Sequence, residues 1–164
     1  MQAELHWKSL RLRQPKVRPD ELLNYFDIQE PAVPVESILR GLGIKVQSMN
    51  LFEFAGEVIS TEDDAQILVN SEDAHVRRRF TMAHECGHLL WHPNKNHFRD
   101  ASADFGGFSH LEVEANQFAA DLLMPPWLIW PAVGRFGKNV DRLAAIFDVS
   151  TAAMSYRLRV LEVP

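Results

Sequence analysis

Cysteine is almost missing from this chain. Among 164 residues Cys86 stands alone, so no internal disulfide can staple the fold, and a reducing compartment is the natural setting. Long apolar runs are missing as well: nothing approaches the ~20 residues that a membrane-crossing helix needs. The opening stretch MQAELHWKSLRLRQPKVRP is basic but lacks the apolar centre of a secretory signal. These absences point to the cytoplasm and away from the membrane. Nor is there an excess of positive charge. The formal net charge of −5 gives no overall attraction for nucleic acid, although such a sum does not show a local basic patch.

What is there is an ordinary globular composition, 46% hydrophobic and 24% charged, in a length that suits one domain with at most a small appendage. Residues 1–20, broken by Pro15 and Pro19, read as a loosely packed arm with a short helix near Leu5 to Leu12. DELLNYFDI, with Asp20 as N-cap, and VESILRGLG, closed by Gly41 and Gly43, have helical spacing on either side of the stop PAVP. The period then changes. IKVQSM, FAGEVIS and AQILVN alternate and are rich in β-branched and aromatic residues, which predicts three strands of a small, mostly antiparallel sheet.

Ser71 is the expected cap of a long helix, with Glu72 and Asp73 in its first turn. Between Phe80 and Trp91 that helix is apolar nearly all round, the pattern of a buried helix. Its polar exceptions are Thr81, His84 and His88 on one stripe, with Glu85 at the edge. Residues four apart sit one turn above each other, so His84 and His88 can meet one ion. His–Glu–x–x–His on a helix is the zinc-peptidase arrangement, in which two imidazoles hold the metal and the glutamate takes a proton from the activated water. Cys86 faces away from His84 by about half a turn and is read as packing. His92 drifts about 80° from His84 and is read as a structural cap.

A catalytic zinc site uses three protein ligands, and His₂Glu is an established set. The next predicted helix, LEVEANQFAADLLMP, offers two glutamates. Glu114 shares a face with Leu111, Ala115, Phe118 and Leu122, whereas Glu112 falls on the flank with Asn116 and Leu123. A carboxylate embedded in an apolar face wants a cation, so Glu114 is the preferred third ligand and Glu112 the alternative. Between these helices the polar stretch NKNHFRDASADFGGFSH, with Gly106-Gly107, reads as a long loop beside the site, a lid or an ordinary surface excursion. His97 and His110 lie in it and are read as solvent-exposed by default, the alternative being an approach to the site from above in which one stabilises the oxyanion. Arg77 and Arg79 are read as pairing with acidic groups.

RRRFTMAHECGHLLWH followed by EVEANQFAADLLMP resembles the signature of the ImmA/IrrE family of metallopeptidases, and VPVESILRGLGIKV and ILVN also look like that family. The resemblance covers about residues 33–161. It implies a gluzincin-like zinc peptidase that cleaves a helix-turn-helix transcriptional repressor. By this resemblance His84 and His88 are metal ligands, Glu85 is the catalytic glutamate and Glu114 is the third ligand. Cys86 stands where the family commonly has leucine. Zinc follows from the ligand set, which also admits manganese or another divalent ion.

After Pro125-Pro126, WLIWPAVGRFG reads as short helical turns, and NVDRLAAIFDVSTAAMSYRLRVLEV as two helices joined at Asp148-Val149, the second capped by Ser150. The spacing from Leu143 to Leu158 is that of a helix-turn-helix core. Only Arg157 and Arg159 give its second helix positive charge, a weak footprint for DNA, so a structural or repressor-recognising module is favoured. The expected organisation is therefore α+β: an arm and helix over 1–32, a peptidase core over 33–126 with the sheet packed on the buried helix, and a helical C-terminal subdomain over 127–164. The competing reading is a repressor-binding, DNA-binding or toxin–antitoxin-type protein whose metal site is silent or structural.

Overall fold

The computed structural model describes residues 6–13, 16–92, 97–101 and 109–164, with Arg13 and 97–101 described by their backbone alone. Three short helices come first, α1 (Trp7–Arg13), α2 (Pro19–Tyr25) and α3 (Val35–Gly41). The described part of the expected loose arm is instead packed. Trp7 and Val17 are buried in the core, the Trp7 N–H donates to the Leu42 carbonyl, and the Trp91 indole donates to the Val17 carbonyl at 2.8 Å. Leu10, partly buried, packs against the same core, so a few apolar side chains dock a segment rich in charge. Pro19, at the first position of α2, starts that helix from Arg18, which leaves Asp20 inside the first turn rather than at the cap.

The sheet is mixed, and its strands β1 (Lys45–Met49), β2 (Phe54–Ser60), β3 (Ala65–Asn70) and β4 (His97–Ala101) lie in the order β1-β3-β2-β4. β2 and β3 form an antiparallel hairpin, closed by Thr61, whose hydroxyl accepts from the Asp64 N–H at 3.1 Å. β1 pairs with β3 in parallel, with Val46 opposite Ile67. Two departures from the sequence reading follow. Alternation identifies strands but not neighbours, so the parallel pairing was not visible in it. The segment expected to be loop carries β4, paired antiparallel with β2. Pro93 and Gly106-Gly107, and with them any lid there, lie outside the described residues.

α4 (His75–Trp91) lies across β2 and β3. Its N-cap is Ala74, with no side-chain cap. Ser71 misses that role because the chain turns first: the Asn70 side chain accepts from the Glu72 N–H at 3.1 Å. Asp73 then pairs with Arg77 at 3.1 Å, one turn on.

Two glycines set how closely α4 is approached. A Cβ at Gly56 on β2 would collide with Thr81 Cγ2 and stand 3.2 Å from Glu85 Oε1. A Cβ at Gly87 would stand 3.0 Å from Phe118 Cβ. Gly56 thus lets the sheet backbone close on α4, and Gly87 lets α5 (His110–Leu123) do so from another side.

α6 (Pro126–Phe136) is one helix containing Pro131 rather than separate turns. α7 (Val140–Phe147) and α8 (Thr151–Val160) follow. Asn139 caps α7 and Ser150 caps α8, each side chain accepting a backbone N–H three residues on. Asp148 holds the turn between them in the left-handed region, φ 54°. Arg79 fixes it there, donating to the Asp148 carbonyl and pairing with its carboxylate at 3.1 Å. No helix among the described residues is long and apolar enough to cross a membrane.

Candidate metal centre

α4 turns His84 and His88 toward α5, where the Ser109 side chain caps the helix by accepting from the Glu112 N–H. The two Nε2 atoms are 3.0 Å apart. Each lies 3.1 Å from a different oxygen of the Glu112 carboxylate. Among the described residues these three are the group of His, Cys, Asp and Glu side chains whose donor atoms converge closely enough to hold one ion.

The preference for Glu114 is not what the structure shows. α5 buries Ala115, Phe118, Ala119, Leu122 and Leu123. The strip of α5 that meets the histidines runs from Glu112 through Asn116, one turn on. Glu114, 200° further round the wheel than Glu112, is turned instead to His92, whose Nε2 is 2.9 Å from Oε2. It also pairs with Lys16, and His110 Nε2 lies 3.3 Å away. The apolar face of a helix can be read from spacing; which flank a neighbouring helix presses against cannot.

The outer nitrogens of both histidines are engaged. His84 Nδ1 lies 2.9 Å from Asn116 Oδ1, and His88 Nδ1 lies 2.9 Å from His92 Nδ1. A ring whose Nδ1–H is held by these acceptors presents its Nε2 lone pair inward, the state a metal ligand needs, and in the other tautomer its Nε2–H donates to Glu112. A tetrahedral zinc with bonds near ~2.0–2.1 Å has ligand–ligand edges of about 3.3 Å, close to the spacings found. Two imidazoles and one carboxylate at this spacing fit a divalent ion. Burial lowers the His88 pKa, favouring the neutral imidazole. Hydrogen bonds with His84 and His88 hold the Glu112 carboxyl well below the usual carboxylate range.

Glu85 is fully buried against β2 at Gly56, beside Thr81, and outside the converging set. Cys86 is also fully buried, and burial pushes its thiol up to about 12. His92 is the C-cap residue of α4. His110 is exposed at the start of α5, and the His97 side chain lies outside the described residues. Sequence reasoning missed Asn116, although its place one turn after Glu112 was the available signal.

A buried His–Glu–x–x–His helix on a mixed sheet, with a carboxylate delivered by the following helix, defines the class: a metallopeptidase-type α+β domain. The profile of the IrrE N-terminal-like domain, a family of M78 peptidases, matches residues 39–159. This chain belongs to that family. Among curated proteins it is 31% identical over 150 residues to the radiation response metalloprotease IrrE of Deinococcus deserti, covering 87% of this chain and 53% of that protein. It is 36% identical over 63 residues to the uncharacterized immunity region protein 2 of Bacillus phage phi105, covering 38% and 40%. It is 27% identical over 94 residues to the metallopeptidase ImmA of Bacillus subtilis, covering 57% and 56%. The chain spans about half the length of these relatives.

Proposed function

We propose that this protein is a zinc-dependent endopeptidase, with His84, His88 and Glu112 as the metal ligands and Glu85 as the general base. The observation that carries this reading is the convergence of the two Nε2 atoms and the Glu112 carboxylate within 3.1 Å of one another, the histidines lying on the helix that also carries Glu85. A bound divalent ion supplies Lewis acidity toward a peptide carbonyl and makes a water acidic at neutral pH. Asn116 and His92 orient the rings that hold it. Glu112, kept anionic, offsets part of its charge.

Glu85 takes the proton of the attacking water on its carboxylate and returns it to the departing amine. Burial beside β2 keeps that carboxylate from bulk solvent. The substrate is read as a helix-turn-helix repressor, supported by the printed names of the relatives, two metalloproteases and an immunity-region protein. A cytoplasmic setting agrees with the single, buried cysteine. Cleavage is favoured over DNA binding because Arg157, one of the two cations of α8, is buried and donates to the Met124 carbonyl and to Asp121.

The test is incubation of the zinc-loaded protein with the repressor encoded beside its gene. A discrete cut is expected with wild type and none with Glu85→Gln at equal metal content. Equal cleavage by both would overturn the role of Glu85, and a metal-loaded wild type that binds the repressor without cutting it would favour a regulatory protein with a silent site.

A further inference from the structure

Beyond the three ligands, a second line of side chains runs outward from His88: His88 Nδ1 to His92 Nδ1 at 2.9 Å, His92 Nε2 to Glu114 Oε2 at 2.9 Å, and Glu114 Oε1 to Lys16 Nζ. The direction of donation follows from the chemistry of its far end. An ionised carboxylate only accepts, and an ammonium only donates, so Lys16 donates to Glu114 and His92 must donate to it through Nε2–H. In the tautomer that donates from Nε2, His92 accepts at Nδ1, and His88 donates there. That leaves the lone pair of His88 on Nε2, facing Glu112 and His84.

We propose that His92, Glu114 and Lys16 are positioning residues for the metal centre: they hold His88 in the tautomer and ring orientation that a metal ligand requires. The inference rests on the metal-site reading above. It gives the N-terminal segment a role, since Lys16 lies outside the stretch 39–159 that matches the family profile. That segment is fastened at the right place. The Lys16 ammonium lies 5.1 Å from the centre of the Trp91 ring, and the Trp91 indole is tied to the Val17 carbonyl, so the end of α4 and the segment bearing Lys16 are held together. The carboxylate that misses the first coordination sphere therefore serves the second.

The experiment is zinc affinity, measured by chelator competition on the full chain, for wild type, His88→Ala, His92→Phe, His92→Gln and Glu114→Ala, with circular dichroism of each metal-free form as the control for folding. His92→Phe keeps the ring but has no acceptor for the His88 N–H, whereas glutamine supplies one through its carbonyl oxygen. The expected loss is about 10- to 100-fold for His92→Phe, the usual effect of removing an outer-shell partner, with His92→Gln within about 3-fold of wild type and Glu114→Ala between them. If His92 only fills space, the order reverses, because phenylalanine preserves the packing and glutamine does not, and that result overturns the proposal. So does wild-type affinity in His92→Phe while His88→Ala loses the metal; there the metal-site reading survives alone. If His88→Ala binds zinc as wild type does, the metal-site reading itself falls and the inference falls with it.

Discussion

Gly56 and Glu85 touch across the boundary between sheet and metal helix: a Cβ at position 56 would stand 3.2 Å from Glu85 Oε1. The same added carbon would lie 3.1 Å from the Leu68 carbonyl oxygen and collide with Thr81 Cγ2. The glycine therefore sets how deep the carboxylate can sit. Gly56→Ala is expected to destabilise by about 1–3 kcal/mol, the range for overpacking a close interface. Thr81→Ser, which removes the methyl group in the way, should restore part of that loss. Urea unfolding of the two single variants and the double variant measures the coupling, and strict additivity would show that the two residues do not meet in this way.

Much of the centre was legible because burial makes polar residues conspicuous. Thr81, His84, Glu85 and His88 break an otherwise apolar helix, and no packing argument accounts for four such breaks. The choice between Glu112 and Glu114 was not legible. Both lie in the first turns of α5, and it is Glu112 that faces the histidines, a relation between packed helices that no wheel contains. Strand identity was similarly clear for β1 to β3, while their order was not, since β3 separates β1 from β2. The docking of the N-terminal segment uses Trp7, Leu10 and Val17, too few apolar residues to give a period. The α7–α8 pair was clear because Ser150 caps α8 at the position its side chain suggested.

Arg157 ties α8 to α5. Its side chain is buried and donates to the Met124 carbonyl at 2.9 Å and to Asp121 Oδ1 at 2.7 Å. Arg157→Met keeps much of the volume and strands the Met124 carbonyl, so a loss of about 1.5–3 kcal/mol is expected, the range for hydrogen bonds to a charged group. Chemical denaturation checks this. An unchanged stability together with weakened DNA binding would return Arg157 to the role of a DNA contact.

Cys86 should be silent in the native protein. It is fully buried, and burial holds its thiol near 12, so almost no thiolate forms at neutral pH. Reaction with a disulfide reagent is expected to be at least ~100-fold slower in the folded protein than in urea, because it requires opening of the core. The rate should not change when zinc is added and then stripped, provided stability is held equal. Protection that depends on metal would point to the thiol as a ligand.

Glu114 gives the acid side of the stability profile a definite sign. The hydrogen bond from Lys16, followed by that with His92, holds its carboxyl at about 2, below the ordinary value of 4.5. A depressed value in the folded state means stabilisation that is fully present above about 4.5 and lost as the pH falls through about 2. Glu114→Gln should therefore lower the urea midpoint at pH 7 and at pH 5, and the gap to wild type should narrow as the pH is taken from 4.5 downward. A gap that widens on acidification would mean that the ion pair with Lys16 does not form.

The two glutamates of α5 make different predictions for metal. Glu112 brings its oxygens to 3.1 Å from both Nε2 atoms, so on the proposed reading Glu112→Gln replaces an anionic ligand by a neutral amide at the centre itself. Its loss of zinc affinity should exceed the ~10- to 100-fold typical of an outer partner. Glu114→Ala acts through His92 and should cost less, between about 3-fold and that range. Asn116→Leu, which removes the acceptor for His84 Nδ1–H, belongs with Glu114→Ala, because the ligand remains and only its orientation is freed. Chelator competition across these three variants ranks the shells directly. If Glu114→Ala cost more than Glu112→Gln, the assignment of the third ligand would pass back to Glu114, and the metal would have to bind with α5 rotated from the position it has here.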